Sequence, residues 1–193
     1  MRILVLFAHP DPDSYGAALH KAAVDALRQA GHEVDDCDLY AEGFDPVLSC
    51  HERRAYHDIE LNRRTVADYV RRLQEAEGLV LVYPVWNFGF PAILKGFLDR
   101  VFLPGVSFRL ENGLAQPNLT HLKFVAAVTT YGAPRWRALL MGDPPRKIVT
   151  RMLRVLAAPR ARLRYLALYD MNRQTAAARE AFLSRVSRVL AAD

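Results

Sequence analysis

The sequence predicts an α/β fold in three layers, with helices on both faces of a five-stranded parallel sheet. Three observations point there. Short runs that are apolar at every position recur along the chain, and a strand reads that way when both its faces are buried. Longer segments between them carry apolar residues every three or four positions, the period of an amphipathic helix. The two kinds alternate from one end to the other with no repeat, linker or shift in composition, so residues 1–193 read as one domain.

Arg2 to Phe7 is the first apolar run, bounded by Pro-rich polar sequence. Ser14 is placed to cap a helix, and Ala18, Leu19, Ala22, Ala23, Ala26 and Leu27 give that helix one apolar face. Gly31 stops it, and "HEVDDCDL" is a second strand. Residues 50–76 are charged and helical in period, with Leu61, Val66, Tyr69, Val70 and Leu73 as candidate buried positions. "GLVLVYP" is the third strand, and Pro91 to Phe102 is a helix with proline near its first turn. "PGVSFRLENGLAQPNLTH" reads as a loop or inserted hairpin turning at Glu111, Asn112 and Gly113. "LKFVAAVTT" is the fourth strand. A loop and a helix broken around Pro144 and Pro145 follow, then "RLRYLALYDM" as the fifth strand and a closing helix over Ala176 to Leu190. Five such strands predict the order 2-1-3-4-5.

Bulk properties narrow the partners. A net charge of +5 fits a site for phosphates or other anions, while the lack of a basic low-complexity tail or zinc-finger spacing argues against nucleic acid. Cys37 and Cys50 are not a CxxC pair and make no disulfide framework, which points to a reducing, cytoplasmic setting. The N-terminal apolar run is too short to span a membrane and lacks a small-residue cleavage site.

In a doubly wound sheet, ligands bind beyond the carboxyl ends of the strands near the point where strand order reverses. That rule selects three loops, "AHPDPDSYG", "YPVWNFGFP" and "TTYGAPRW". The first runs into a helix N-terminus and contains neither GxGxxG nor GxxxxGK[ST], so neither a dinucleotide fingerprint nor a P-loop is present. Ser14 either only caps the helix or shares in holding a phosphate with its neighbours; His9 either donates to that phosphate or satisfies a strand end. In the second, Trp86, Asn87 and Phe88 either wall a flat conjugated ligand or pack on the loop or another subunit. In the third, Gly132 permits an unusual backbone angle that would let successive N–H groups converge, and Tyr131 either stacks on a ring or covers the core.

At these residues the chain resembles the flavodoxin-like NAD(P)H:quinone oxidoreductases and their relatives, including azoreductases and potassium-efflux ancillary reductases. The pattern "PxxNFxxPAxLKGxxDRVF" from Pro84 to Phe102 carries most of the resemblance. "AHPDPDSYGAALHKAAVDAL" and "CDLYAEGFDPVLS" match further family segments, and "TTYG" stands at the family's Thr-Thr-Gly-Gly loop. The resemblance implies a flavodoxin-like three-layer sandwich, bound FAD or FMN, and a homodimer. By position it implies that His9, Ser14, Tyr15, Gly16 and Ala18 meet flavin phosphates or ribityl. It implies that Pro84, Val85, Trp86, Asn87 and Phe88 line the isoalloxazine, and that Thr129, Thr130, Tyr131 and Gly132 hold its pyrimidine edge. Arg179 is a poor match to a family residue near adenosine and reads better as a surface helix arginine.

The implied activity is transfer of a hydride from NAD(P)H through the flavin to a quinone or similar acceptor, in two half-reactions. The alternatives are a regulatory flavin- and nucleotide-binding subunit of a potassium-efflux partner, or an electron-transfer flavodoxin. Some family members carry a Tyr and a His after the Thr-Thr loop; here Arg135, Trp136 and Arg137 occupy the Tyr region and Met141 the His position. Tyr131, at the flavin edge, is the one catalytic candidate left. Arg135, Arg137, Arg146 and Lys147 form either a subsite for NAD(P)H phosphates or an ordinary basic surface. Lys95, Asp99 and Arg100 read as structural, with Asp99 pairing to Arg100 or Lys95.

Overall fold

The computed structural model describes residues 1–193. Five parallel strands form one sheet in the order β2-β1-β3-β6-β7: β1 (Arg2–Phe7), β2 (Glu33–Asp38), β3 (Gly78–Val85), β6 (Phe124–Tyr131) and β7 (Arg162–Leu168). In chain order this is 2-1-3-4-5, interrupted by a separate antiparallel hairpin of β4 (Phe108–Glu111) and β5 (Leu114–Pro117). The hairpin turns on Asn112 and Gly113, both at positive φ, as their turn chemistry predicts.

Strand alternation sends Ile3, Val5, Phe7, Val80 and Val82 to one face of the sheet, against α1 (Tyr15–Gln29) and α8 (Ala176–Ala191). It sends Leu4, Leu6, Leu79, Leu81, Val125 and Ala127 to the other, against α3 (Ala67–Glu75) and α4 (Ala92–Val101). Ser14 caps α1, its Oγ accepting from the Ala17 N–H at 3.1 Å. Leu19, Ala23, Ala26 and Leu27 form the buried stripe, while Ala18 stays exposed. No helix is long and apolar enough to cross a membrane.

The segment 50–76 is not one helix. A short α2 (Cys50–Ala55) ends, the chain turns, and a 3-10 turn at Arg64–Val66 leads into α3. The Asp58 carboxylate takes the N–H groups of Glu60 and Leu61 at 3.0 and 3.1 Å, which diverts the backbone from helix. Asn62 then pins the turn by donating to the carbonyls of Tyr56 and Pro104 at 3.0 and 3.1 Å. Leu61 therefore faces solvent, 40% exposed, instead of the core. After β6, α5 (Arg135–Leu140) stops at Gly142 and Asp143, both at positive φ. Pro144 and Pro145 start the next helix, α6 (Pro144–Lys147), where a missing N–H costs nothing. It continues through a wide π turn at Ile148–Leu153 into α7 (Arg154–Leu156).

Two arginines tie α3 and α4 to the segments packed beside them. Arg72 of α3 grips Asp35 of β2 at 2.7 Å and Glu42 at 2.8 Å. Arg100 of α4 binds the Glu52 carboxylate at 2.5 and 3.0 Å and also donates to the Asp45 carbonyl. Gly96 lets the 45–49 segment lie directly on α4, where a Cβ would overlap Pro46. Asp99 pairs with Lys95, not Arg100, and all three residues are structural in this sense. Burial would raise the Glu52 carboxyl, but hydrogen bonds from Thr65, Ser49 and Arg100 outweigh it and hold it at about 2.

A carboxyl depressed from 4.5 to about 2 stabilises the fold above pH 4.5, and that contribution is lost as pH falls towards 2. Glu52→Gln is accordingly expected to be less stable than wild type at pH 7. The gap should narrow by on the order of 3 kcal/mol between pH 5 and 2. Urea unfolding across that range measures it, and parallel curves would show that Glu52 is not an ionised partner of Arg100.

Candidate functional site

The three loops selected from sequence meet at one edge of the sheet. β1 stops pairing with β3 at Phe7 opposite Val82, whereas β3 runs on beside β6 to Val85 opposite Tyr131. The overhang leaves a notch above the end of β1. Val82 accepts from the Ala8 N–H at 3.0 Å, so Pro84, two residues on, aims its ring nitrogen at the side where β1 has ended. A proline is tolerated in this central strand for that reason.

His9 sits in the notch. The Asp11 N–H donates to its Nδ1 at 3.1 Å, so Nε2 carries the proton and is a free donor. Gly16 allows this placement: a Cβ there would lie 3.2 Å from His9 Cδ2 and 3.4 Å from Ser14 Oγ. The N–H groups of Tyr15 and Gly16, at the start of the 15-residue α1, have no partner within the chain. The Tyr15 side chain leaves the mouth, its hydroxyl donating to the Arg179 carbonyl at 2.7 Å. Burial, partly offset by the Arg179 charge, pushes that phenol up to about 12.

The second loop is a two-residue turn of type I′. Trp86 and Gly89 exchange both backbone hydrogen bonds, at 3.2 and 2.8 Å, with Asn87 at φ 49° and Phe88 at φ 58°. An L-residue in that region costs roughly 1–2 kcal/mol, and here neither residue is glycine. The aromatics divide. Phe90 packs edge-on against Tyr83 at 4.7 Å, facing inward. Trp86 stays 41% exposed with its ring 5.8 Å from that of His9.

The third loop differs from expectation. Gly132 is not at positive φ; β6 stays extended through Tyr131, and the strained backbone lies at Asn87 and Phe88 instead. Thr129 is fully buried on the Tyr131 face of the sheet, and Thr130 is buried on the other. Tyr131 is 1% exposed and stacks on Tyr169 at 4.5 Å. Its hydroxyl donates to Asp143 at 2.6 Å and lies 2.5 Å from the Tyr165 hydroxyl. Burial, reinforced by Tyr165 and Asp143, drives the phenol well above its ordinary range. The hydroxyl is committed inside the protein and the ring covers the core, so what Tyr131 offers the mouth is chiefly its main chain.

Val85, Asn87, Phe88, Tyr131, Gly132 and Ala133 enclose a cavity of about 210 Å³ between the second and third loops. The backbone N–H groups of Asn87, Phe88, Gly132 and Ala133 make no hydrogen bond within the chain. Four free donors therefore rim a cavity whose walls are Val85 and Phe88. Apolar walls with a rim of unsatisfied donors fit a flat, conjugated ring carrying carbonyl and nitrogen acceptors at its edge. An isoalloxazine is such a ring, and the free N–H groups at the start of α1 fit its phosphate chain. Ala133 is the lining residue that sequence reasoning missed; only its place after Gly132 marked it.

Fold and mouth together define a doubly wound α/β ligand-binding protein. A model of the flavodoxin-like fold matches residues 1–190, and the chain belongs to that family. It is similar to NAD(P)H dehydrogenase (quinone) 1 of Cavia porcellus, 32% identical over 149 residues, 68% of this chain and 54% of that protein. It is also similar to ribosyldihydronicotinamide dehydrogenase (quinone) of Pongo abelii, 33% identical over 151 residues, 68% of this chain and 64% of that protein. The chain spans about half the length of the curated relatives it matches first. Smu.1420 of Streptococcus mutans UA159 superposes with a TM-score of 0.88 at 27% identity, covering 100% of both chains.

The strain at Phe88 gives a direct test of its role. Phe88→Gly relieves the left-handed backbone, so the thermal midpoint should stay level or rise by up to about 4 °C. Affinity for a planar ligand such as FMN should fall at the same time. A loss on the scale of a core truncation, about 3–5 kcal/mol, would instead make Phe88 a packing residue.

Proposed function

We propose that this chain is a flavin-dependent NAD(P)H oxidoreductase that passes a hydride to a quinone or similar acceptor in two half-reactions. The observation that carries the reading is the cavity rimmed by the free N–H groups of Asn87, Phe88, Gly132 and Ala133 and walled by Val85 and Phe88. The curated relatives named above are dehydrogenases, which supports it. A bound flavin, FAD with FMN as the alternative, supplies hydride acceptance and release.

The chain's own part is binding, orientation and charge. Tyr15 and Gly16 present N–H groups to a phosphate at the helix start, where the helix dipole favours an anion. His9 adds a donor from Nε2. Trp86 and Phe88 cover the apolar face and exclude water from it. The N–H groups of Gly132 and Ala133, placed at the end of β6 where it pairs with β3, would meet negative charge at the pyrimidine edge. The Tyr and His that some family members carry after the Thr-Thr loop are replaced in this chain, so their part in the reaction falls to other groups.

Purified protein tests this directly. Flavin released by denaturation and weighed by mass spectrometry should be FAD or FMN, NADPH should bleach its colour, and a quinone should restore it. Protein that is colourless and binds neither flavin on reconstitution would sink the reading.

The chain is further proposed to act as a homodimer. A groove of about 700 Å³ runs between α4, the β4–β5 hairpin and α7, lined by Leu98, Phe102, Phe108, Pro117, Met152 and Leu156. Val155, also in the lining, is 66% exposed. An apolar groove of this kind suits cover by a second subunit. Light scattering at micromolar concentration should give twice the chain mass, and Val155→Asp should shift it towards one chain. A wild-type monomer under those conditions counts against the dimer.

A further inference from the structure

α5 carries its apolar residues on the wrong side for a helix packed on a sheet. Trp136, Leu139 and Leu140 stand at i, i+3 and i+4 and so share one face. That face meets solvent, the three residues being 62%, 57% and 71% exposed. Met141, which caps the helix, is also exposed and extends the ridge. Ala138 is the one buried residue of the helix and holds it to the body of the protein. Scattered exposed leucines are ordinary, but four large apolar side chains within six positions, a tryptophan among them, mark an interaction site. The groove that suits a second subunit takes none of its lining from α5.

The same stretch is strongly basic. Residues 135–160 hold seven arginines and lysines and one acid, Asp143, which is buried. They carry +6 where the whole chain carries +5, so the protein's excess of positive charge belongs to this stretch. None of the seven forms an ion pair within the chain. Arg135 and Arg137 flank Trp136, and the Arg137 guanidinium lies 5.3 Å over the Trp136 ring. At the far end of the ridge, the Lys147 ammonium lies 3.4 Å from where a Cβ on Gly142 would stand. Arg173, from the turn after β7, joins Trp136 and Arg137 around a cavity of about 330 Å³ whose one acid is Asp170. Arg146 is engaged elsewhere, 5.0 Å over the Tyr165 ring.

We infer that this face docks the chain on a lipid bilayer with anionic headgroups. Such a surface takes both halves of the patch. Leucine and methionine side chains enter the boundary of the acyl region, tryptophan settles at headgroup level, and arginine and lysine meet the anionic phosphates. A nucleic acid would use the charges and leave Leu139 and Leu140 in water. A second copy meeting this patch through the same patch would set arginine against arginine. No helix is long and apolar enough to cross a membrane, so the contact is peripheral. The cavity lined by Trp136 and Arg137 shares Gly132 with the mouth, and a docked chain therefore holds its mouth beside the headgroups. Docking of this kind needs no bound flavin.

Co-sedimentation of the full chain with vesicles tests it. Wild type should pellet with vesicles of equal parts phosphatidylcholine and phosphatidylglycerol, and far less with phosphatidylcholine alone. Added salt should weaken the binding. Arg135→Gln with Arg137→Gln should lower the partition coefficient roughly thirtyfold, about fivefold per basic side chain. Arg185→Gln with Arg188→Gln removes the same charge from exposed positions of α8 and should leave binding nearly unchanged. Leu139→Gln with Leu140→Gln should abolish binding while the thermal midpoint holds, because both side chains are already in solvent. With Trp86→Phe, Trp136 is the one tryptophan left, and its emission should shift to the blue when the mixed vesicles are added. Wild type that stays in the supernatant overturns the inference, as do equal losses in the two arginine pairs or full binding by the leucine variant. Wild type that binds duplex DNA but no vesicle overturns it in favour of a nucleic acid. A leucine variant that turns dimer into monomer, with no vesicle binding by wild type, overturns it in favour of a second copy.

Discussion

β3 is hydrogen-bonded along both edges and packed on both faces, and it outruns one neighbour. Its pairing with β1 ends at Val82, while its pairing with β6 continues through Val85. The rest of the site follows from this mismatch. The notch above β1 admits His9 and the start of α1, the proline at 84 becomes tolerable, and the overhang carries the turn that faces β6. A strand of this kind cannot shift register without moving the apolar sets of both faces, so the overhang is fixed by the whole core.

The overhang ends in a strained turn, and strain of this sort persists only where the surroundings over-determine it. Here they do. Trp86 and Gly89 close the turn with two hydrogen bonds, Phe90 anchors on Tyr83, and β6 stands alongside. Across the cavity, Tyr131 is held by Asp143, Tyr165 and Tyr169. Both walls are therefore packed in place, and the residues that line the cavity between them include Asn87, Phe88, Gly132 and Ala133, whose N–H groups have no partner within the chain. Preorganised donors of this kind act without the reorganisation that water would require.

The longest recognisable motif in the chain splits into two duties. Its first residues, Pro84 to Phe88, make the wall. Its later ones, Lys95, Gly96, Asp99 and Arg100, make the mount: a contact surface for Pro46, a surface ion pair with little energetic weight, and a buried arginine tied to Glu52. Removing one partner of such a buried pair leaves the other charged and desolvated, so the mount depends on Arg100 and Glu52 together.

The sequence alone determined the layers, the strand order, the Asn112-Gly113 hairpin, the Ser14 cap and the three loops that form the mouth. Each of these depends on near neighbours or on periodicity, and both can be read along one dimension. Tertiary structure decided the rest. Arg100 finds Glu52 48 residues away, and Arg173 joins Arg137 only because β7 lies beside β6. Nothing in "VWNFG" announces that Asn87 and Phe88 adopt the left-handed conformation expected of glycine, since the closure of Trp86 on Gly89 and the packing around it impose it. The direction of the Tyr131 hydroxyl is likewise set by strand alternation and by Asp143, a residue held in place by its own positive φ. Local sequence marked the loops of the mouth; the register of β3 against unequal neighbours decided which atoms line it.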